Sequence, residues 1–413
     1  MRNLKKLGRE WQSVIHSGMI VVYWLMFLNM VIYRFLNTTE FFNEIDQIYE
    51  SGSALSSFFQ FLFLQPQWIL AIMTVMLYLT AKKSDWKETA GVGLYCGFLL
   101  FCAQKTGAEN LTSYLLLLPG VRYVPFEKLI KVYAGLIIFM TALTMVGSHM
   151  GIIGNYTWYR WDGRTRESFG FIYPTDFAAH IFFMILGYWY VRGRKISYIE
   201  MLLVLAVSKL TMKYSIARCS SALIAVIAFA MLYNRLFSKR LKLEAMVLEN
   251  MPLLMAIITA GVSLLYDVEN PYMAMLNKVL SSRPTLVQRG AEIYGFHLWG
   301  RNIPMIGNGG KTSTPTRYYF IDSAYMQLAL LYGVVLLAIV LILLTIVCKK
   351  AAVQEQWVLL WIVALACVHG VIEQHLIELE YFPFFLAVFG TIAKEKTTGE
   401  KKGLIERLHG KKE

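Results

Sequence analysis

Apolar residues run through this chain in blocks of about 17 to 25, the length that crosses a bilayer core as an α-helix. Short polar and charged segments separate the blocks. In order, they predict helices at 15–35, 58–81, 88–104, 130–149, 175–191 and 196–213. A further helix follows KYSIARCSS and runs to about 233, and others span 250–266, 322–347, 356–372 and 379–393. The run LTSYLLLLPG at 111–120 is too short for a comfortable crossing. It reads either as a tilted, partly re-entrant helix or as a span extended into its flanks. With it counted, the pattern predicts an all-α, polytopic transmembrane helix bundle of about 12 spans. One domain covers 1–393, and 394–413 forms a soluble, basic tail. The first apolar run lacks a small-residue cleavage site, so it is expected to remain as a helix.

The polar segments orient the bundle. MRNLKKLGREW, AKKSDWKE, RGRK, RLFSKRLK and the CKK ending one apolar run are basic and fall on one side. The positive-inside rule makes that side, and both termini, cytoplasmic. NTTEFFNEIDQIYESGS, the 151–174 loop and the long 267–320 loop then face out. This accounts for the net charge of +13 without nucleic acid. The chain is 57% hydrophobic and 16% charged, against roughly 25% charged in soluble domains.

Several chemistries lack their motifs. None of the five cysteines forms a CxxC pair, and their place in or beside apolar runs reads as helix packing. There is no GxxxxGK[ST], HxxxH or HExxH, so neither a nucleotide-driven step, a metal nor a cofactor is expected. GNGG at 307–310 reads as a flexible turn. No internal repeat is evident, and no matching pair of Gly/Pro-broken helices points to a transporter.

Residue type on the outer side changes the picture. Lysines fall mainly inside, whereas arginines gather outside: Arg160, Arg164 and Arg166, then Arg218, then Arg283, Arg289, Arg301 and Arg317. Arginine there does nothing for topology, and a planar guanidinium suits bidentate contacts with phosphate. Each could be solvated loop surface; the cluster reads as an anion site. Asp322 opens the 322–347 run, as a helix N-cap, a salt-bridge partner, or a group that binds an acceptor or takes its proton. His369, Glu373 and His375 make a second polar group at the outer end of 356–372, either interfacial or functional. Trp158, Tyr159, Trp161, Tyr294 and Trp299 suit sugar stacking or the membrane interface. Anionic substrates at that face are lipid-linked phosphates and pyrophosphates. Arginines would hold the pyrophosphate as leaving group, and a carboxylate would accept a hydroxyl proton.

ESFGFIYPTDFAAHIFF, followed after one helix by YSIARCSSALIAVIAF, resembles the bacterial polysaccharide repeat-unit polymerase family of the Wzy type. That family shows a GF-x-x-P-N-like stretch and a later S-R pair before a helix. SSRPTLVQRGAEIYGFHLWGRNIPMIGNGG and the following YYFIDSAYMQLALLYG are similar to its large external loop and exit helix. Related O-antigen ligases carry a His-Asn-like pair, nine residues and a glycine. Here the pair is Asp322–Ser323 with Gly333 at the matching spacing, and the missing histidine leans towards polymerase. The Arg289–Gly300 spacing is similar to one in some polymerase loops. The resemblance covers about 150–340. It implies a metal-independent membrane glycosyltransferase of capsule, exopolysaccharide or O-antigen synthesis. Its substrate would be undecaprenyl-pyrophosphate-linked oligosaccharide in the bacterial cytoplasmic membrane, with chain-length regulator and flippase proteins as partners. Candidate catalytic residues are Asp322, Glu373 and His369. Candidate substrate-binding residues are Arg218, Arg283, Arg289, Arg164, Arg166 and Arg301. The competing readings are a flippase of the same lipid-linked sugars and a ligase-like glycan transferase.

Overall fold

The computed structural model describes residues 2–41, 66–82, 85–107, 109–159, 163–237, 241–307 and 318–393, with side chains from Glu10 onward. Arg160, Trp161, Arg317, residues 42–65 (most of the acidic segment and the first part of the helix expected at 58–81), most of GNGG and the 394–413 tail lie outside the described residues.

Among the described residues the fold is all-α apart from one short hairpin and two isolated β-bridges. Helices α1 (Arg2–Leu36), α2 (Pro66–Thr80), α3 (Trp86–Thr106), α4 (Glu109–Leu117) and α5 (Phe126–His149) come first. Strands β1 (Thr157–Tyr159) and β2 (Thr165–Glu167) pair antiparallel, placing Trp158 opposite Arg166. Then come α6 (Pro174–Arg192), α7 (Tyr198–Tyr214), α8 (Arg218–Leu236), α9 (Lys242–Glu249) and α10 (Met251–Leu264). The last are α11 (Pro271–Val279), α12 (Arg283–Tyr294), α13 (Ala324–Gln327), α14 (Val334–Val353) and α15 (Trp357–His369). Among the described residues, α1, α5, α8 and α14 are long and apolar enough to cross a membrane, and the α9–α10 pair, bent by 60°, adds a fifth candidate. The bend falls where Pro252 enters the first turn of α10. Proline cannot donate its backbone hydrogen bond and disfavours helix in the residue before it.

Local chemistry sets the helix ends. The Asp85 carboxylate accepts from the Lys87 amide at 3.0 Å to start α3, and Gly107, at φ 70°, ends it. Ser197 and Glu200 cap α7 reciprocally, filling donors that the first turn leaves open. α7 packs along α8, α1 along α2, and α5 along α6.

Four expected elements take a different form. The 111–120 run is helical only over α4, nine residues or about 14 Å, and continues as a 3-10 turn over Pro119–Tyr123. This stretch runs back along α3. The Tyr95 hydroxyl donates to the Leu115 carbonyl at 3.0 Å, and Arg122 reaches Glu88, at the start of α3, at 2.9 Å.

The helix expected at 379–393 is absent. The segment is irregular around one 3-10 turn, Pro383–Val388. It is buried nonetheless, because side chains satisfy its carbonyls. Tyr133 donates to Glu380 and Tyr381 at 2.9 and 2.7 Å, and Tyr114 donates to Phe382. Lys350 donates to Ala387, Val388 and Gly390, each at 2.9 Å. Unwound backbone survives among apolar groups only when protein supplies such partners.

The 267–320 segment is not a plain loop, since it holds α11 and α12. Nor is 322–347 one helix. α13 passes into a π-helical turn at Leu328–Tyr332 and stops at Gly333 (φ 100°) before α14 begins. The break has a steric cause. Residues 297–301 cross the chain here: Arg301 donates to the Leu331 carbonyl at 2.9 Å, and Val334 to His297 at 3.0 Å. A Cβ on Gly333 would lie 2.3 Å from the Gly300 nitrogen, and one on Gly300 2.3 Å from the Leu331 oxygen. Two glycines are needed for backbones to meet this closely.

Replacing either glycine by alanine must push these backbones apart, at roughly 2 kcal/mol or more. Gly333→Ala and Gly300→Ala are expected to lower the melting midpoint in detergent and open 295–305 to protease. Gly261→Ala, with nothing within 4 Å of the added carbon, leaves both unchanged or slightly improved. Equal behaviour of all three variants would show that the crossing does not matter.

Candidate functional site

Separate pieces of chain meet beside the start of α8. The β-hairpin brings Arg166, whose Nε donates to the Ser215 carbonyl at 2.7 Å. α8 opens with Arg218, Cys219 and Ser220. The α11–α12 turn brings Arg283, and the segment after α15 brings Glu373. These residues line a cavity of about 370 Å3. Arg218 is exposed and has no ion-pair partner among the described residues.

Arg283 is the centre of the arrangement. Its Nε donates to Asp322 Oδ2 and its Nη2 to Glu373 Oε1, both at 3.0 Å. Burial works against its charge, and Glu373 and Asp322 more than offset this, so its pKa is raised and it stays a cation. Two of its five N–H donors face these carboxylates, which leaves donors for the cavity. Burial pushes the Asp322 carboxyl up to about 6; Arg283 opposes the shift and nearby Glu373 adds to it.

Backbone strain gathers here. Ile216 and Ser281 line the cavity with φ of 51° and 58°, and Ser282 follows at 63°. Left-handed backbone costs a side-chain-bearing residue roughly 1–2 kcal/mol, and such residues concentrate at functional sites.

The sequence-predicted residues separate into two sets. Arg166, Arg218, Arg283 and Glu373 come together. Asp322 touches the cavity only through Arg283. It does not cap a helix: Ser323 holds the N-cap position of α13, without a side-chain capping bond, and the Asp322 carboxylate is spent on the ion pair. His369 is fully buried, stacked on Phe182 at 4.8 Å. Its Nε2 lies 3.1 Å from the hydroxyl oxygen of Ser220, which lines the cavity. The other arginines lie elsewhere. Arg289 is exposed on α12, Arg301 donates to the Tyr294 carbonyl at 3.1 Å, and Arg164 is exposed in the hairpin turn.

Some residues here were not singled out from the sequence. Thr175, Cys219 and Ser220 also line the cavity. Asp176, in the first turn of α6, lies within electrostatic reach of His375, Glu378, Glu373 and Asp322. The available signal was an acid at the mouth of an apolar helix, a functional candidate by default. Among the described residues, no group of three or more His, Cys, Asp or Glu side chains is placed to hold a metal.

The Asp322 shift fixes a sign. An unfolded Asp titrates near 3.9, and Asp322 at about 6. Between those values the folded state holds the extra proton, so this group's contribution to stability grows as pH falls through 6. The gain is on the order of 3 kcal/mol at most. Melting midpoints from pH 7 to pH 5 should rise more for the wild type than for Asp322→Asn. Parallel curves would overturn the assignment.

In comparisons with known proteins, no family model, no curated protein and no solved structure matches this chain.

Proposed function

We propose that the protein is a membrane-embedded polymerase. It joins oligosaccharide repeat units carried on undecaprenyl pyrophosphate at the outer face of the bacterial cytoplasmic membrane. One observation carries the reading: Arg166, Arg218 and Arg283, from three distant parts of the chain, line one cavity with Glu373. Fixed guanidinium groups suit a pyrophosphate that leaves with added negative charge. A cavity-lining carboxylate suits an attacking hydroxyl.

In this reading the acceptor hydroxyl oxygen bonds to the anomeric carbon of the growing chain's reducing-end sugar. The bond from that carbon to the pyrophosphate oxygen breaks, and its electron pair leaves with the lipid pyrophosphate. Arg166 and Arg218 balance that charge. Glu373 takes the hydroxyl proton, while Asp322 and Arg283 hold Glu373 in place. The chain makes about twelve crossings with both termini inside. α4 with its 3-10 turn, and the unwound segment after Glu373, each return the chain across the bundle. Flippase and chain-length regulator proteins are the expected partners.

Purified protein given lipid-linked repeat units should yield a ladder of polymer. Glu373→Gln and Arg218→Ala should each lower turnover at least about tenfold, as expected for losing a contact to an ionised group. Arg218→Lys restores part of it, lacking the fork. Arg289→Ala, away from the cavity, has a smaller effect. A ladder of normal length from Glu373→Gln would refute the proton assignment. Lipid-linked units moved across the bilayer unchanged would favour the flippase reading, and transfer of finished glycan to another acceptor the ligase reading.

Orientation has its own test. Lys278, exposed on α11, faces out in this reading. A thiol reagent that cannot enter cells should label Lys278→Cys in intact cells. Labelling only after permeabilisation would reverse the topology.

A further inference from the structure

A second cavity lies across the α11–α12 turn from the first. It measures about 340 Å3, and its walls include Ile258 and Gly261 of α10, Leu265 at its C-cap, Met273 and Leu276 of α11, and Pro284 of α12. Its polar side chains are occupied with each other: the Asn277 amide donates to the Tyr266 hydroxyl at 3.3 Å. Nothing in it asks for a polar ligand. Pro284 follows Arg283 directly, and α11 contributes Leu276 to this cavity and Val279 to the arginine cavity. One nine-residue helix and its turn thus divide an apolar chamber from a cationic one.

The apolar chamber opens towards the bilayer. Ile258 and Leu265 are 42% and 70% exposed, on the same outward stripe of α10 as Leu254 and Ile257. α10 is the apolar half of a candidate span, and a stripe of exposed branched side chains on such a helix faces hydrocarbon. α11 continues this surface, with Tyr272, Met275, Leu276 and Val279 exposed at helical spacing. A groove walled by carbon, open to hydrocarbon and adjoining fixed cations matches an amphiphile with an anionic head and a long apolar chain.

We infer that this groove holds the first part of the hydrocarbon chain of a lipid drawn sideways from the bilayer, whose phosphate occupies the arginine cavity. The head-group half rests on the proposed function; the chain half rests on the groove alone. α11 forms the sill over which the lipid enters.

The test uses full-length protein in lipid nanodiscs and farnesyl pyrophosphate carrying a diazirine near the chain end. Light-induced adducts should concentrate on α10 residues 258–265 and on α11. Inorganic pyrophosphate should compete, and unlabelled farnesyl pyrophosphate should compete at a concentration at least about tenfold lower, the effect of burying a few methylene groups. Gly261→Phe fills the groove from a position whose Cβ meets nothing within 4 Å. It should abolish these adducts without changing how the probe partitions into lipid, and Leu265→Trp should act in the same way. Adducts scattered over other lipid-facing positions such as Phe139 and Leu143, or groove adducts that survive both variants, would overturn the inference. Groove adducts lost in Gly261→Phe but indifferent to pyrophosphate and to Arg218→Ala would uphold the chain site and overturn the anion cavity.

Discussion

One guanidinium organises the candidate site of this molecule. Arg283 opens α12, Asp322 precedes α13, and Glu373 follows α15, and the three meet only through the paired contacts at 3.0 Å. A charge with limited solvent access persists only if opposite charge and hydrogen bonds accompany it. Removing one carboxylate would leave Arg283 paired with the other, whereas removing both would strand the cation, at a cost of roughly 3–5 kcal/mol. The interaction therefore fixes segments from the 267–320 region and from both sides of α14 and α15 against each other. It also turns Glu373 towards the cavity and keeps Asp322 behind the arginine. Two carboxylates so close in space thereby acquire different surroundings.

The rest of the cavity is strained around this clamp. Ile216 and Ser281 both line it in left-handed backbone, which local preference alone would not choose. The tight crossing at Gly300 and Gly333 holds the far side of the same segment, next to Thr106 at the end of α3. With the chain pinned at both places, α12 between them is held at both ends rather than left as a free loop.

Much of this could be read in the chain. Hydropathy located α3, α5, α6, α7 and α15 within a few residues, because burying or lipid-facing an entire turn leaves a run of apolar side chains, but it set the start of α1 too late and that of α14 too early. Of the arginines in segments expected to face out, the fold brings Arg166, Arg218 and Arg283 to one cavity and leaves Arg164, Arg289 and Arg301 elsewhere. Hydropathy failed where backbone chemistry decides. Residues 379–393 are as apolar as any span, yet the segment unwinds because Tyr114, Tyr133 and Lys350 supply the donors that its carbonyls need. No window of local sequence contains those partners. The same limit hid the roles of the carboxylates. At its own position Asp322 reads as a cap, a salt-bridge partner or a group serving an acceptor, and only the approach of Arg283, 39 residues earlier, selects the ion pair. Gly300 and Gly333 were visible as spacings, but their meeting was not.

The unwound segment also dictates an order of events. Its hydrogen-bond partners lie on α4, α5 and α14, all synthesised before it. Left alone in hydrocarbon, eleven residues from Glu380 to Gly390 would bond their own backbone as helix. They can give up that arrangement only against a surface already displaying the two tyrosine hydroxyls and the lysine. Assembly of this protein therefore has a direction. The earlier helices must gather first, and the last apolar stretch is reshaped on arrival, so the final structure is a template completed by the strand of chain it was waiting for.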